Sequence, residues 1–237
     1  MPLQAQQIIT LALQIAKAPG FTSQAGNKLN AILQDLCQNY DLELARKTTT
    51  FAFSTSSGPY TLPADYLRAR KGMVFYTYNG IPYFPVPIDI SEYDSLVQQA
   101  GFADFPRDFT TDMAATPPTM YFWPPPSIPG IIVTVRYYSQ MPDIATPESS
   151  TELPWFNNDN YLITRLAGEI MQLTGDDRAE KFLGDSDDAT PLGAGVLLRK
   201  YLKLKDDPEG KTSTVQLDRR RFGTNWNRLK NSKQVGW

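Results

Sequence analysis

Hydrophobic residues recur at intervals of three and four positions in three stretches of the chain, a period that places side chains on one face of an α-helix. We therefore predict three amphipathic helices, and we expect a fourth from Gly195 to Leu204, where two glycines weaken the start. The first three stretches comprise Ile8, Leu11 and Ile15, then Leu29, Ile32, Leu33, Leu36 and Tyr40, and finally Leu162, Leu166, Ile170 and Leu173.

Residues that flank these stretches indicate where the helices begin and end. Pro19-Gly20 separates the first two helices, and Gly175 is expected to end the third. Side chains with an oxygen acceptor cap the free backbone amides at a helix start. The candidate caps are Thr22 or Ser23 for the second helix and Asn157, Asn158 or Asp159 for the third.

Residues 48–142 form a Pro- and Tyr-rich region with strand signals, which begins with alternating β-branched or aromatic residues from Thr49 to Thr55. Asn79-Gly80 readily adopts the positive φ angles of a two-residue turn, so we predict a hairpin there. Residues 91–112 are expected to form a short helix followed by an acidic, aromatic loop. Further strands are predicted from Thr49 to Thr55, from Tyr60 to Pro63, from Met120 to Trp123 and from Ile131 to Tyr138.

These elements predict an α+β fold in which a helical bundle carries an inserted β module. We expect residues 1–47 and 150–205 to form the helical domain, and residues 48–142 to form a small antiparallel β-sandwich or barrel. The periodicity ends after the last helix, so residues 206–237 are expected to form an extended basic C-terminal arm. An arm with little hydrophobic content usually folds onto another surface.

The charge of the chain is divided between an acidic body and a basic tail, although the net formal charge is only −2. Residues 199–237 carry 11 Lys and Arg against 4 Asp and Glu, a charge of +7, which leaves −9 for residues 1–198. Such polarity favours head-to-tail contact between copies or docking onto another acidic surface.

The chain has no histidine and one cysteine, Cys37. This composition excludes histidine-based acid/base catalysis, Ser-His and Cys-His nucleophile pairs, and zinc or haem sites that need imidazole or several thiolates. The sequence also has no G-x-S-x-G elbow, phosphate-binding loop or dinucleotide fingerprint. We therefore expect a protein without enzyme activity, catalytic residues, metal or cofactor, in which Cys37 is a buried core residue.

The first 18 residues have no positive region before their apolar residues, and glutamines interrupt any signal-like core. Uninterrupted apolar runs fall far short of the roughly 20 residues that a membrane helix needs. We therefore expect a soluble protein that is synthesised in the cytoplasm.

Two clusters have more than one interpretation. The acidic loop Asp185, Asp187 and Asp188 has oxygen ligands for a hard cation, but it lacks the spacing of a calcium loop. A solvated loop, or one that pairs with the basic tail of a neighbour, is the better interpretation. The aromatic residues could stack on sugar rings, although strand alternation places two of them on one face, as an ordinary core or interface also requires. They are Tyr121, Trp123, Tyr137 and Tyr138.

The tail mixes basic and aromatic residues, a composition that suits both phosphate binding with base stacking and protein docking. We favour docking, because the acidic body argues against a nucleic-acid footprint over the whole surface. The docking residues predicted in the tail are Arg199, Lys200, Lys203, Lys205, Arg219, Arg220, Arg221, Phe222, Trp226, Arg228, Lys230 and Lys233.

The order of these features resembles that of the head-to-tail adaptor proteins of tailed bacteriophages, the group that includes the tail tubular ring component of short-tailed phages. The resemblance covers about the first 200 residues. It lies in four phrases and the helix after Trp155: Leu29-Asn30-Ala31-Ile32-Leu33-Gln34; Tyr40-Asp41-Leu42-Glu43-Leu44-Ala45-Arg46; Tyr60-Thr61-Leu62-Pro63-Ala64-Asp65-Tyr66-Leu67-Arg68; and Met120-Tyr121-Phe122-Trp123-Pro124 with Val133 to Pro142.

The resemblance implies a structural virion protein at the head-tail interface, in a ring of usually twelve copies that extends the DNA channel of the portal. Its partners would be the portal protein, the downstream nozzle or tail-tube protein, other copies of itself and passing double-stranded DNA. The arm would reach the portal, a neighbouring copy or both. A carbohydrate- or receptor-binding virion module, and a nucleic-acid-binding protein that acts through its arm, are the alternatives.

Overall fold

The computed structural model describes residues 2–54, 58–98, 103–184 and 193–206, without the side chains of residues 203–206. Helices and sheets both occur, so the predicted α+β fold is confirmed. The chain divides into two compact units. The first contains residues 1–11 and 19–157, and the second contains residues 12–18 and the chain from residue 158 onward. The division into a helical domain and a β insertion stays a prediction.

Two helices precede the sheets. α1 (Ala5–Ala16) contributes its first half to the first unit and its second half to the second, and α2 (Thr22–Asn39) lies wholly in the first. The predicted hydroxyl cap of α2 is wrong, because its start has no side-chain cap and the Thr22 hydroxyl donates instead to the carbonyl oxygen of Pro19 at 3.2 Å. Cys37 is buried in α2, and burial raises the pKa of its thiol, so its assignment to the core is confirmed.

The first unit also contains two sheets. One has the strand order β1-β9-β4-β5, with β3 also paired to β9, and the other has the order β2-β8-β7-β6. α3 (Ile90–Val97) lies between β6 and β7 in the chain. The strands are β1 (Arg46–Ala52), β2 (Tyr60–Thr61), β3 (Tyr66–Arg68), β4 (Val74–Tyr78), β5 (Ile81–Tyr83), β6 (Val86–Pro87), β7 (Asp108–Asp112), β8 (Thr119–Trp123) and β9 (Ile132–Ser139).

The predicted hairpin is confirmed. Tyr78 pairs with Ile81 across the turn, and the two turn residues have positive φ angles, 50° for Asn79 and 78° for Gly80. Asparagine and glycine adopt this left-handed conformation at lower cost than other residues, so the turn sets the register of β4 and β5.

Two expectations for the β region are wrong. Part of the predicted acidic loop is strand β7, because Phe109 and Thr110 are buried and the strand pairs with β8 over five residue pairs. The pairing is also not purely antiparallel, since β6 runs parallel to β7. The two aspartates of Asp108–Asp112 made this segment resemble a polar loop, but they stand only at the two ends of the strand.

Side chains from both sheets form one hydrophobic cluster. Phe122 on β8 is fully buried and contacts four aromatic rings, with centroid distances between 5.0 and 6.2 Å. Close aromatic pairs of this kind contribute beyond their buried area. The buried members are Phe53, Tyr60, Leu62, Tyr66, Val74, Tyr76, Phe109, Met120, Phe122, Val133, Val135 and Tyr137.

The described part of the second unit is helical. Besides the end of α1, it contains α4 (Asp159–Thr174), α5 (Ala179–Leu183) and α6 (Ala194–Asp206). The predicted boundaries of α4 are confirmed. Asn158 Oδ1 accepts a hydrogen bond from the backbone amide of Tyr161 at 3.1 Å, and Gly175 ends the helix with a φ of 71°.

Candidate assembly surfaces

The guanidinium group of Arg68, on β3, binds the C-terminal end of α2. Carbonyl oxygens at a helix end have no partner within the helix and carry partial negative charge, so a cation is stabilising there. Arg68 Nε also donates to Asp41 Oδ1 at 3.0 Å, and the group lies over the ring of Tyr138. The carbonyl acceptors are those of Gln38 at 2.8 Å, Cys37 at 3.1 Å and Tyr40 at 3.1 Å.

Asp65 joins the start of β1 to β9. Its carboxylate accepts hydrogen bonds from the ammonium group of Lys47 and, at 3.0 Å, from the Tyr137 hydroxyl. Burial raises the pKa of Asp65, but the bonds from Lys47 and Tyr137 outweigh burial, so the pKa lies below its ordinary value. Burial, together with the hydrogen bond to Asp65, raises the pKa of Tyr137 to about 12.

This raised pKa predicts loss of stability in alkali. An unfolded tyrosine ionises near pH 10, whereas folded Tyr137 keeps its proton to about pH 12. The stabilisation is therefore complete below pH 10 and is lost as the pH rises to about 12. Between pH 10 and about 12 the unfolding free energy of the native protein should therefore fall with rising pH more steeply than that of Tyr137→Phe, by about 1.4 kcal/mol per pH unit. Urea unfolding from pH 7 to 12 measures it, and equal slopes for the two proteins would contradict it.

Two polar side chains of α2 hold the segment that follows β9. Asn30 and Gln34 stand four residues apart on the helix. Asn30 forms two hydrogen bonds with the backbone of Ile144, at 3.0 and 3.1 Å, and Gln34 Nε2 donates to Met141 O at 2.7 Å and to Asp143 Oδ1 at 2.9 Å. This segment is therefore fixed along α2 as it leaves the sheet.

The sequence interpretation gave these polar contacts no role. The residues Asn30, Gln34, Asp41, Asp65 and Arg68 all lie in the phrases that carry the adaptor resemblance, which is the one signal that singled them out. Their geometry holds α2, β1, β3 and β9 together in a fixed arrangement. Their chemistry is that of structural hydrogen bonding within the first unit.

The four aromatic residues considered for sugar binding lie in different environments. Tyr137 is buried in the core, whereas Tyr138 is half-buried beside Arg68. Tyr121 and Trp123 share one face of β8, as the alternation predicted, but it is the face opposite the core. The ring of Tyr121 packs against the ring of Tyr93 in α3, with 5.6 Å between the two centroids. The structure thus does not bring the four rings together as one platform.

The residues predicted for docking lie mostly outside the described part of the chain. Arg199 and Lys200 are exposed on α6, and Lys203 and Lys205 lie in the same helix. The predicted acidic loop lies outside the described residues, as do the arm residues from Arg219 to Lys233. Among residues 2–54, 58–98, 103–184 and 193–206, no group of three or more potential metal ligands is close enough to hold an ion.

A depression of about 780 Å³ in the second unit is lined in part by the carboxylates of Asp176, Asp177 and Glu180. Hydrogen bonds from Arg178 hold the pKa of Asp176 at about 2, so this carboxylate stays ionised.

None of the helices in the described part of the chain has the length and apolar character that a membrane crossing requires.

A second surface lies where the two sheets end. Five large apolar side chains in residues 81–97 are exposed, among them Ile81 at 58% and Phe84 at 54%. Several exposed large apolar side chains in one short segment favour a protein-protein contact. The other three are Val86, Ile90 and Val97.

Comparison with known protein families gives one match. The model of the SU10 adaptor protein family matches residues 3–189 of the 237, which include both sheets and helices α1 to α5. No curated protein matches the chain. The chain belongs to the SU10 adaptor protein family, which confirms its predicted resemblance to phage head-to-tail adaptors and gives it the structural role of a bacteriophage adaptor.

Proposed function

We propose that the protein forms a ring of twelve copies that joins the portal of a tailed bacteriophage to its tail and lines the DNA channel. The family match over residues 3–189 is the observation that carries this proposal. The ring lies at the head-tail interface of the virion. It binds the portal on one side and the downstream nozzle or tail-tube protein on the other, and DNA passes through it without sequence-specific contacts.

The polar contacts within the first unit support a role as a ring subunit. A ring keeps its symmetry only if each copy presents the same surfaces in the same positions. The bonds of Arg68 to the end of α2, of Asp65 to Lys47 and Tyr137, and of Asn30 to Ile144 hold helix and sheet residues together in this way.

The distribution of charge supports the same role. The −9 charge of residues 1–198 disfavours tight binding of phosphates, so a channel wall built from them lets DNA slide. The +7 charge of residues 199–237 provides a complementary group that docks on acidic surfaces. Many weak contacts repeated by symmetry hold a ring through avidity.

Electron microscopy with the portal ring of the same phage tests the proposal. We expect the full-length protein to add a twelvefold ring to the portal, and a chain that ends after Lys205 to add none. The shortened chain should keep its thermal transition, because little apolar periodicity lies beyond Lys205. Substitution of Arg219, Arg220 and Arg221 by alanine should also prevent ring addition.

Alanine substitution of three uncharged polar residues in the same arm, Asn231, Ser232 and Gln234, is the matched control and should leave ring addition intact. Equal binding by the full-length and shortened chains would remove the arm from portal docking. Failure of every form to bind the portal would contradict the connector function. Loss of the thermal transition in the shortened chain would assign the arm to the folded core.

A further inference from the structure

The strands β5 and β6 stand at the ends of the two sheets that the described residues form. We call the exposed side chains of residues 81–97, which include both strands and α3, the edge surface. Edge strands normally present free backbone amides and carbonyls, which pair with any extended chain. A partner of the edge surface binds either by adding a strand to one of these edges or through side-chain contacts alone.

Each of these edge strands carries a proline whose nitrogen faces outward. The amide of Val86 donates to the carbonyl of Arg107, just before β7, at 2.7 Å, and that of Ile88 donates to the carbonyl of Phe109 in β7 at 2.9 Å. The nitrogen of Pro87 between them therefore points away from the sheet. In the hairpin, Tyr78 and Ile81 close the two-residue turn as a hydrogen-bonded pair, so Pro82, the next residue, faces outward. Proline has no amide hydrogen. The two edges thus offer acceptors but no donor at these positions, and strand addition is blocked.

The charges of the edge surface have one sign. Asp89, Glu92 and Asp94 are exposed, and no lysine or arginine occurs between residues 81 and 98. The surface therefore combines exposed apolar side chains, three carboxylates and backbone acceptors. A complementary partner supplies apolar anchors and side-chain donors with positive charge, because its own acceptors, the backbone carbonyls and carboxylates, find no donor at these positions.

The chain itself contains such a partner. Residues 207–237 follow α6 and lie outside the described structure. They carry 7 Lys and Arg against 3 Asp and Glu. Phe222 and Trp226 stand among the arginines, and arginine and tryptophan are the residue types most enriched at binding hot spots. Guanidinium groups have five N–H donors, which can bind both carboxylates and outward carbonyls.

We propose that the edge surface of each copy binds residues 207–237 of a neighbouring copy through side chains, without strand addition. The inference rests on the proposed function, because it concerns copies that adjoin in one ring. A ring needs a heterologous contact between two different surfaces of the same chain, and the edge surface with the arm is such a pair.

Mixed disulfide formation tests this contact in the full-length protein. One population carries Ser91→Cys, at the exposed start of α3, and the other carries Thr224→Cys, between Phe222 and Trp226. The native Cys37 is buried, and its thiol pKa is raised, so it does not compete. A tag on one population gives the two kinds of chain different masses. The mixed populations are oxidised in two samples, one of free protein and one of protein added to the portal ring. We expect a disulfide between the tagged and untagged chains.

Matched variants make the expected result specific. Ser149→Cys, an equally accessible serine outside the edge surface, should give no disulfide with the Thr224→Cys population. Phe84→Ser combined with Ile90→Ser should lower the yield about tenfold, the effect of losing one hot-spot anchor. Leu153→Ser, whose side chain is 53% exposed like that of Phe84, should not change it.

Two outcomes overturn the inference. One is no disulfide with Ser91→Cys in either the free or the portal-bound protein. The other is checked with a third population whose chains carry both Ser91→Cys and Thr224→Cys: a disulfide that forms only within single chains would show that the arm docks on its own copy. If portal rings still form in these samples, only the edge contact has failed. If no portal binding occurs with any chain, the proposed connector function has failed as well.

Discussion

Replacing Arg68 with alanine is expected to lower the free energy of unfolding by about 3 kcal/mol. The side chain is only 26% exposed, and its removal leaves three carbonyl groups at the end of α2 and the carboxylate of Asp41 without this donor. Hydrogen bonds to a charged group are stronger than neutral ones, and a buried acceptor left without a partner carries its full desolvation cost. Urea unfolding followed by circular dichroism measures the change.

Arg70→Ala is the matched control for this prediction. Arg70 contacts the same carboxylate, with Nη2 2.6 Å from Asp41 Oδ2, but its side chain is 67% exposed. Exposed ion pairs contribute under about 1 kcal/mol, because water and salt screen them. If Arg70→Ala lowered the unfolding free energy as much as Arg68→Ala, the stabilisation by Arg68 would come from its ion pair with Asp41 and not from its hydrogen bonds to the end of α2.

Replacing Phe122 with alanine is expected to lower the free energy of unfolding by about 4 kcal/mol, the cost of removing a buried aromatic side chain and leaving a cavity. Phe122 has no exposed surface and contacts rings from β1, β2 and β7 as well as Phe53. The substitution therefore removes contacts that hold the two sheets to one core. Urea unfolding gives the change in free energy.

Phe84→Ala provides the comparison, since it removes the same atoms from a side chain that is 54% exposed and, among the described residues, contacts the ring of Phe75 alone, at a centroid distance of 6.0 Å. We expect it to cost less than about 1 kcal/mol. A small loss for Phe122→Ala, similar to that for Phe84→Ala, would mean that the shared core of the two sheets contributes little to the stability of the first unit.

Local patterns in the sequence predicted the elements whose causes are themselves local. The helical period predicted α2 and α4, and Asn79-Gly80 predicted the hairpin. Three candidate caps at residues 157–159, of which Asn158 is the one used, together with Gly175 predicted the limits of α4. Each of these depends on residues within a few positions of one another. The sequence also indicated the adaptor family, through phrases that lie in the matched range of residues 3–189.

Other features depend on residues far apart in the chain, and local patterns do not reveal them. Alternation placed Tyr121 and Trp123 on one face of β8. Only the packing of β8 against the other sheet, β1-β9-β4-β5, decided that Met120 and Phe122 are the residues that face the core. The strand β7 escaped prediction because its backbone pairs with β8 and its Phe109 packs into the core shared by the two sheets, and its own composition shows neither.

The sequence by itself determined the α+β class, the main helices, the hairpin and the adaptor family, because period, turn chemistry and charge are properties of short segments. Only the tertiary structure decided that β9 pairs with β1, β3 and β4, that Asn30 binds Ile144 at a separation of 114 residues, and that Arg68 binds the end of α2. The physical reason is that a buried polar group needs a partner, and folding, not sequence proximity, brings that partner within reach.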